Sequence, residues 1–211
     1  MTELVFILDR SGSMGGLEQD TIGGFNSMLR KQKKQPGEAL VSTVLFNNHS
    51  VVVHDRVPLE QMQPMTEEEY CVGGTTALLD AVGGAIKHIG MVHKYARPED
   101  RPEKTLFVIT TDGMENASHK YTYEKVRQMI AHEKEKHGWE FLFLGANIDA
   151  ATEARRFGIE ADRAADYHCD GAGTALNYEV IGDVVANVRA CRPVDRNWKA
   201  RIDADYQKRG K

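Results

Sequence analysis

Three short, nearly continuous apolar runs, Leu4 to Leu8, Leu106 to Ile109 and Phe141 to Leu144, constrain the fold of this chain more than any other feature. Runs of that length without polar alternation are how strands buried on both faces of a parallel sheet read. Between them lie helical periodicities. Leu78, Val82, Ala85 and Ile89 recur at spacings of four, three and four, and Tyr123, Val126 and Ile130 mark a second core-facing stripe. Leu17 to Lys34 reads as a further helix, with Arg30, Lys31, Lys33 and Lys34 gathered where cations complement the helix dipole. Ala39 to Phe46 and Val51 to Val57 are rich in β-branched residues. The cluster Asn47-Asn48-His49-Ser50 between them is short enough for an antiparallel hairpin, expected at one sheet edge. A short helix around Asp149 to Phe157, a weaker strand near Ala164 to His168 and a last long helix carrying Leu176, Val180, Ile181, Val184 and Val188 complete the rhythm.

Strands alternating with helices imply βαβ units with right-handed crossovers, hence a doubly wound, mostly parallel sheet in a three-layer α/β/α arrangement. With 211 residues the chain accommodates one sizeable α/β domain. Beyond Arg192 the apolar pattern fades, so residues 1–191 are expected to form the domain and residues 192–211 a charged tail.

Composition excludes more than it names. A net charge of −4 gives no global reason to expect nucleic-acid binding. No stretch approaches the roughly 20 apolar residues that span a bilayer, and the apolar run after Met1-Thr2-Glu3 is too short for a signal-peptide core, so the expectation is a cytoplasmic protein without membrane contact. Cys71, Cys169 and Cys191 are widely spaced and form no CxxC pair, which points to ordinary reduced thiols. The triplets Asn48-His49-Ser50 and Asn116-Ala117-Ser118 matter as glycosylation acceptors only in a secreted chain. Gly171-Ala172-Gly173 lacks the third glycine of a dinucleotide loop, and His132 and His137 lie five apart on a charged helix, so neither marks a site.

The chemistry gathers elsewhere. In VFILDRSGSMGG the first strand ends at Asp9, and Ser11 and Ser13 follow in a loop loosened by Gly12, Gly15 and Gly16. Asp112 lies just past the run Leu106 to Ile109, in VITTDG. If the two strands are neighbours, both carboxylates stand at the carboxyl rim of the sheet, where α/β sheets bind ligands. Carboxylate and hydroxyl oxygens suit Mg²⁺ or Mn²⁺, whereas zinc or copper would normally recruit His or Cys. Because hydroxyls carry no formal charge, such an ion stays electrophilic towards an acidic partner.

DRSGSM resembles the DxSxS signature of von Willebrand factor type A (vWA) domains, whose metal-ion-dependent adhesion site (MIDAS) takes a threonine and a second aspartate from later loops. Gly73-Gly74-Thr75-Thr76-Ala77-Leu78 resembles the family's GGxT loop, and Thr110-Thr111-Asp112-Gly113 its TDG turn. The resemblance implies a six-stranded sheet with an antiparallel edge strand and a Mg²⁺ or Mn²⁺ site of Asp9, Ser11, Ser13, Thr76 and Asp112, with the spacing to Leu78 favouring Thr76 over Thr75. It is closer to bacterial intracellular members, some of which work with ring-forming ATPases, than to animal adhesion receptors. The implied function is a binding module, not an enzyme, whose metal is completed by an Asp or Glu of another protein.

Simpler readings stand beside this one. Thr75 or Thr76 could be a helix N-cap, Asp112-Gly113 a plain turn, and the serines loop hydroxyls bonded to backbone. A metal-dependent hydrolase or phosphatase using the same Asp and Ser residues is the competing function. Ser13 lacks the glycine two residues before it that a GxSxG elbow requires, and Ser11 stands where an aspartyl-phosphate hydrolase places its second acid. A third reading is an ion that only staples the loops together.

Overall fold

The computed structural model describes residues 1–210; residue 211, the last of the expected tail, lies outside them. Among the described residues six strands form one sheet in the order β3-β2-β1-β4-β5-β6. The strands are β1 (Thr2–Asp9), β2 (Ala39–Phe46), β3 (Ser50–Pro58), β4 (Lys104–Asp112), β5 (Glu140–Ala146) and β6 (Ala164–Asp166). All pairings are parallel except β2 with β3, the antiparallel edge hairpin. The doubly wound, three-layer architecture and its single antiparallel edge strand are therefore as expected from the sequence.

Helices α1 (Glu18–Lys33), α5 (Gly171–Arg189) and α6 (Ala200–Arg209) cover one face, and α2 (Leu78–Tyr95), α3 (Tyr123–His137) and α4 (Ala150–Phe157) the other. The period of two along each strand sorts the side chains between these layers. Leu4, Phe6 and Leu8 pack with Leu106, Val108, Leu142 and Leu144 under α1 and α5. Val5 and Ile7 pack with Phe107, Ile109, Phe141 and Phe143 under α2, α3 and α4. Trp139, Phe141 and Phe143 thus face helices: Trp139 and Phe141 both stack on Phe107, with ring centroids 5.3 and 4.9 Å apart.

The segment expected to be a charged tail contains helix α6, and α5 is not the last helix. Val194, Trp198 and Ile202 are buried against the α1/α5 layer, and the Trp198 indole donates to the Asp162 carbonyl at 2.8 Å. Of these only Ile202 lies in α6, while Val194 and Trp198 belong to the segment leading into it, so the helix itself carries no apolar stripe that would stand out in sequence.

The strand order reverses direction of growth at β1: the chain winds outward through β2 and β3, then returns to place β4 on the other side of β1. The loops leaving β1 and β4 consequently diverge, opening a crevice at their carboxyl ends.

Candidate metal centre

Asp9 is the last residue of β1 and is 2% exposed. Its carboxylate is held from three directions. Oδ1 accepts the Ser11 N–H at 2.7 Å, while Oδ2 accepts the Thr111 hydroxyl at 2.8 Å and the Asp112 N–H at 3.1 Å. The chain then tightens into a 3₁₀ turn over Gly12–Met14, which brings the Ser11 and Ser13 hydroxyl oxygens to 3.1 Å from one another. Ser13 also donates to the Asp112 main-chain oxygen, so the β1 loop is tied directly to the end of β4.

The Asp112 side chain is fixed by two residues not expected from sequence. Asn147, just beyond β5, donates from Nδ2 to Oδ1, and the Cys169 thiol donates to Oδ2 at 3.0 Å. Asn147 sits at φ +55°, a left-handed conformation that asparagine tolerates better than most residues. Burial and the neighbouring Asp112 carboxylate both push the Cys169 thiol up from its ordinary value, keeping it protonated as a donor. Cys169 is a free thiol, as expected, and one built into the site.

Thr76 enters on the loop before α2, and only 4% of it is exposed, whereas Thr75 faces solvent. Backbone and amide contacts clamp this loop to its neighbours. Gly12 N–H donates to the Gly74 carbonyl at 3.0 Å, Asn47 Nδ2 to the Gly73 carbonyl at 2.8 Å, and Thr75 N–H to Asn48 Oδ1 at 2.9 Å. Thr76 N–H donates to Asn116 Oδ1 at 2.9 Å, and Asn116 N–H returns to the Thr76 carbonyl at 3.0 Å. Asn48, read in sequence as a hairpin-turn residue and a glycosylation acceptor, and Asn116, read only as an acceptor, are braces of this loop. Gly74 has φ +83°, a conformation that favours glycine, and a Cβ there would displace the Asn48 amide that braces the loop.

Neither threonine caps α2. The N-cap position is Ala77, and the free N–H groups of Leu79 and Asp80 are satisfied by Glu115 Oε2 at 2.8 Å and Ser118 Oγ at 3.0 Å. The capping role is filled from the loop after β4, which leaves the threonine hydroxyls out of it.

The structure thus gathers Asp9, Ser11, Ser13 and Asp112 into one hydrogen-bonded unit and sets the Thr76 loop against it. Every hydrogen-bond partner of the two carboxylates is uncharged. Burial raises the Asp9 carboxyl above its ordinary value, against the lowering effect of its Ser11, Thr111 and Asp112 donors. Two buried carboxylates ringed by hydroxyls and lacking a cationic side chain form an electrostatic arrangement that a divalent cation fits. Among the described residues no group of three His, Cys, Asp or Glu side chains is arranged to hold a metal, so an ion here would depend on hydroxyl as well as carboxylate oxygens.

Of the residues missed in sequence, Asn147 had a usable signal: it follows a core strand adjacent to β4 and so reaches the same rim. Cys169 and Asn116 had none, since their contacts cross 57 and 40 residues.

No family model and no curated protein matches the chain by sequence. Solved structures do match in fold. A von Willebrand factor type A protein from Catenulispora acidiphila aligns with TM-score 0.62 at 14% identity, over 88% of this chain and 43% of its own. Proximal thread matrix protein 1 from the mussel byssus, solved with a zinc-occupied MIDAS motif, aligns with TM-score 0.59 at 13% identity, over 88% of this chain and 46% of its own. The vWF domain of the type V pili tip protein Mfa5 from Porphyromonas gingivalis aligns with TM-score 0.61 at 10% identity, over 87% of this chain and 94% of its own. The chain therefore has the vWA fold, and it spans less than half the length of the first two of these neighbours. Among the described residues no helix is long and apolar enough to cross a membrane.

Proposed function

We propose that this chain is a metal-dependent protein-binding module in which Asp9, Ser11, Ser13, Thr76 and Asp112 hold Mg²⁺ or Mn²⁺ and a partner protein supplies an Asp or Glu to complete the site. The observation that carries the reading is the pair of buried carboxylates at the β1/β4 crevice, served only by uncharged donors and bordered by serine hydroxyls. An ion in this position supplies a Lewis-acidic point for an incoming carboxylate oxygen. The neutral hydroxyls of Ser11, Ser13 and Thr76 leave more of its charge for the partner than carboxylates would. Ser13 and Gly12 lie exposed at the mouth of the crevice, where a partner can reach them.

Binding is favoured over turnover because the Ser13 proton goes to a main-chain carbonyl, a group that cannot serve as a general base, and position 11 holds a serine in place of a second acid. Hard oxygen donors favour Mg²⁺ or Mn²⁺; the zinc in the mussel protein's MIDAS is a property of that protein. Three free cysteines support a reducing, intracellular setting for the complex. An ATPase-containing assembly is the setting that the resemblance to bacterial family members implies.

The test is capture of partners from the source cell on immobilised protein, with and without EDTA and with Asp9→Ala alongside. Capture that EDTA and Asp9→Ala both abolish supports the reading, and capture indifferent to both overturns it. Asn147 gives a finer prediction. It orients Asp112 without facing the metal, so Asn147→Ala should weaken Mg²⁺ binding by about 10- to 100-fold in a calorimetric titration. Alanine is strained at φ +55°, so the metal-free thermal midpoint should fall by about 2 to 4 °C, and the loss of Mg²⁺ affinity is read against that baseline.

A further inference from the structure

Behind the wall that carries Asp9, between α1, α5, β1 and β4, lies a small chamber open to about 10 Å³ for a water-sized molecule. That volume admits about one water. Five polar atoms on residues lining it have no protein hydrogen-bond partner: Thr21 Oγ1, Thr110 Oγ1, Thr174 Oγ1, and both Oδ1 and Nδ2 of Asn177. All five atoms are buried, and Thr21, Thr174 and Asn177 are only 3%, 5% and 3% exposed. The Tyr70 phenol also lines the chamber, but its proton goes to the Asp9 carbonyl.

The sequence of α5 makes this polarity stand out. Threonine and asparagine are poor helix formers, and at buried positions of a helix packed on a sheet an aliphatic residue satisfies both propensity and packing. Agreement between local and tertiary preference is broken here at two positions one turn apart, which marks a built feature.

The chemistry of these atoms selects the occupant. Asn177 Nδ2 needs an acceptor, Oδ1 needs a donor, and the threonine hydroxyls serve as either. A cation would oppose the amide N–H groups and an anion the amide oxygen, while anything larger than water exceeds the space. We propose that the chamber is a binding site for a single water molecule, held by Asn177 and Thr174 of α5 and Thr110 of β4, that joins the C-terminal helix layer to the wall behind Asp9. This inference is independent of the metal reading.

Stability of apolar variants decides it by sign. With a bound water, each of Thr110→Val, Thr174→Val and Asn177→Leu removes one of its partners and should lower the thermal midpoint by about 2 to 4 °C. The triple variant, which leaves Thr21 Oγ1 as the one unpartnered polar atom of the lining and so too few partners to hold the water, should lose clearly less than the sum of the three. If the chamber is dry, each single substitution removes an unsatisfied polar group and raises the midpoint, which overturns the proposal, as does strict additivity. A crystal structure of the unmodified protein at high resolution checks it directly. Density for one water bonded to Asn177 and Thr174 is expected, and an empty chamber or a metal ion there refutes it.

Discussion

Magnesium at a hundredfold excess over its dissociation constant is expected to raise the thermal midpoint of the wild-type protein by roughly 5 to 10 °C and to leave that of Asp9→Ala unmoved. Ligand binding to the native state alone contributes about 2.7 kcal/mol at that excess, and for a chain of this size each kcal/mol shifts the midpoint by about 2 to 4 °C. The observable is the metal-induced shift, so any effect of the substitution on the metal-free protein cancels. Asp9 is the residue to remove because it supplies one of only two carboxylates at the crevice and is anchored by Ser11, Thr111 and Asp112. The pH dependence follows from its burial. A carboxyl whose pKa is raised on folding stabilises the metal-free protein below its unfolded pKa, and that contribution is lost as pH rises through the folded value. The cation requires the ionised form, so its stabilisation grows over the same interval and fades in acid. Differential scanning fluorimetry across pH, with Mg²⁺ or EDTA, measures both. A shift of equal size in Asp9→Ala would remove the metal from this crevice.

The second large effect lies far from the site. Arg189→Ala should destabilise the fold by about 2 kcal/mol, measured by denaturant unfolding, because it removes a largely buried guanidinium that donates to three main-chain carbonyls and to Gln32 Oε1. Arg189 is 7% exposed near the end of α5, and its guanidinium spans the C-terminal end of α1 and the turn into β2. Nη1 donates to the Gln32 carbonyl and, at 3.1 Å, to Gln32 Oε1; Nη2 donates to the carbonyls of Gln35, at 3.1 Å, and Gly37. One planar fork from the facing helix thus ties the last turn of α1 to the two carbonyls of the turn that follows it. Gln32 completes the joint by donating from Nε2 to the Gly182 carbonyl at 2.8 Å. Arg189→Lys should recover only a small part of the loss, since a single ammonium cannot span four acceptors. Full recovery by lysine would mean that charge, not the fork, holds the joint.

Much of this molecule is legible in one dimension because its signals are local. Side chains alternate along a strand and recur every third or fourth residue on a helix whatever else the chain does. The runs at Leu4, Leu106 and Phe141 therefore mark core strands, and the stripes from Leu78 and Tyr123 mark the helices between them. Asp9 and Asp112 could be placed at a rim for the same reason, as the polar residues that end buried strands. Helix α6 escaped because Val194, Trp198 and Ile202 carry too little apolar signal to distinguish a docked helix from a solvated tail.

By itself the sequence determined the order and type of most elements, the loops in which hydroxyls follow a strand-end carboxylate, and the absence of any His or Cys in those motifs. The tertiary structure decided what surrounds those groups. Asn147 and Cys169 meet at Asp112, Asn48 and Asn116 brace the threonine loop, Glu115 and Ser118 cap α2 in place of Thr76, and Asn177 turns towards a chamber behind Asp9. The contacts at the rim depend on strand order, which brings together residues 27 to 57 positions apart. Periodicity is a property of neighbours along the chain, whereas a hydrogen-bond partner across the sheet leaves no trace until the sheet has chosen its order.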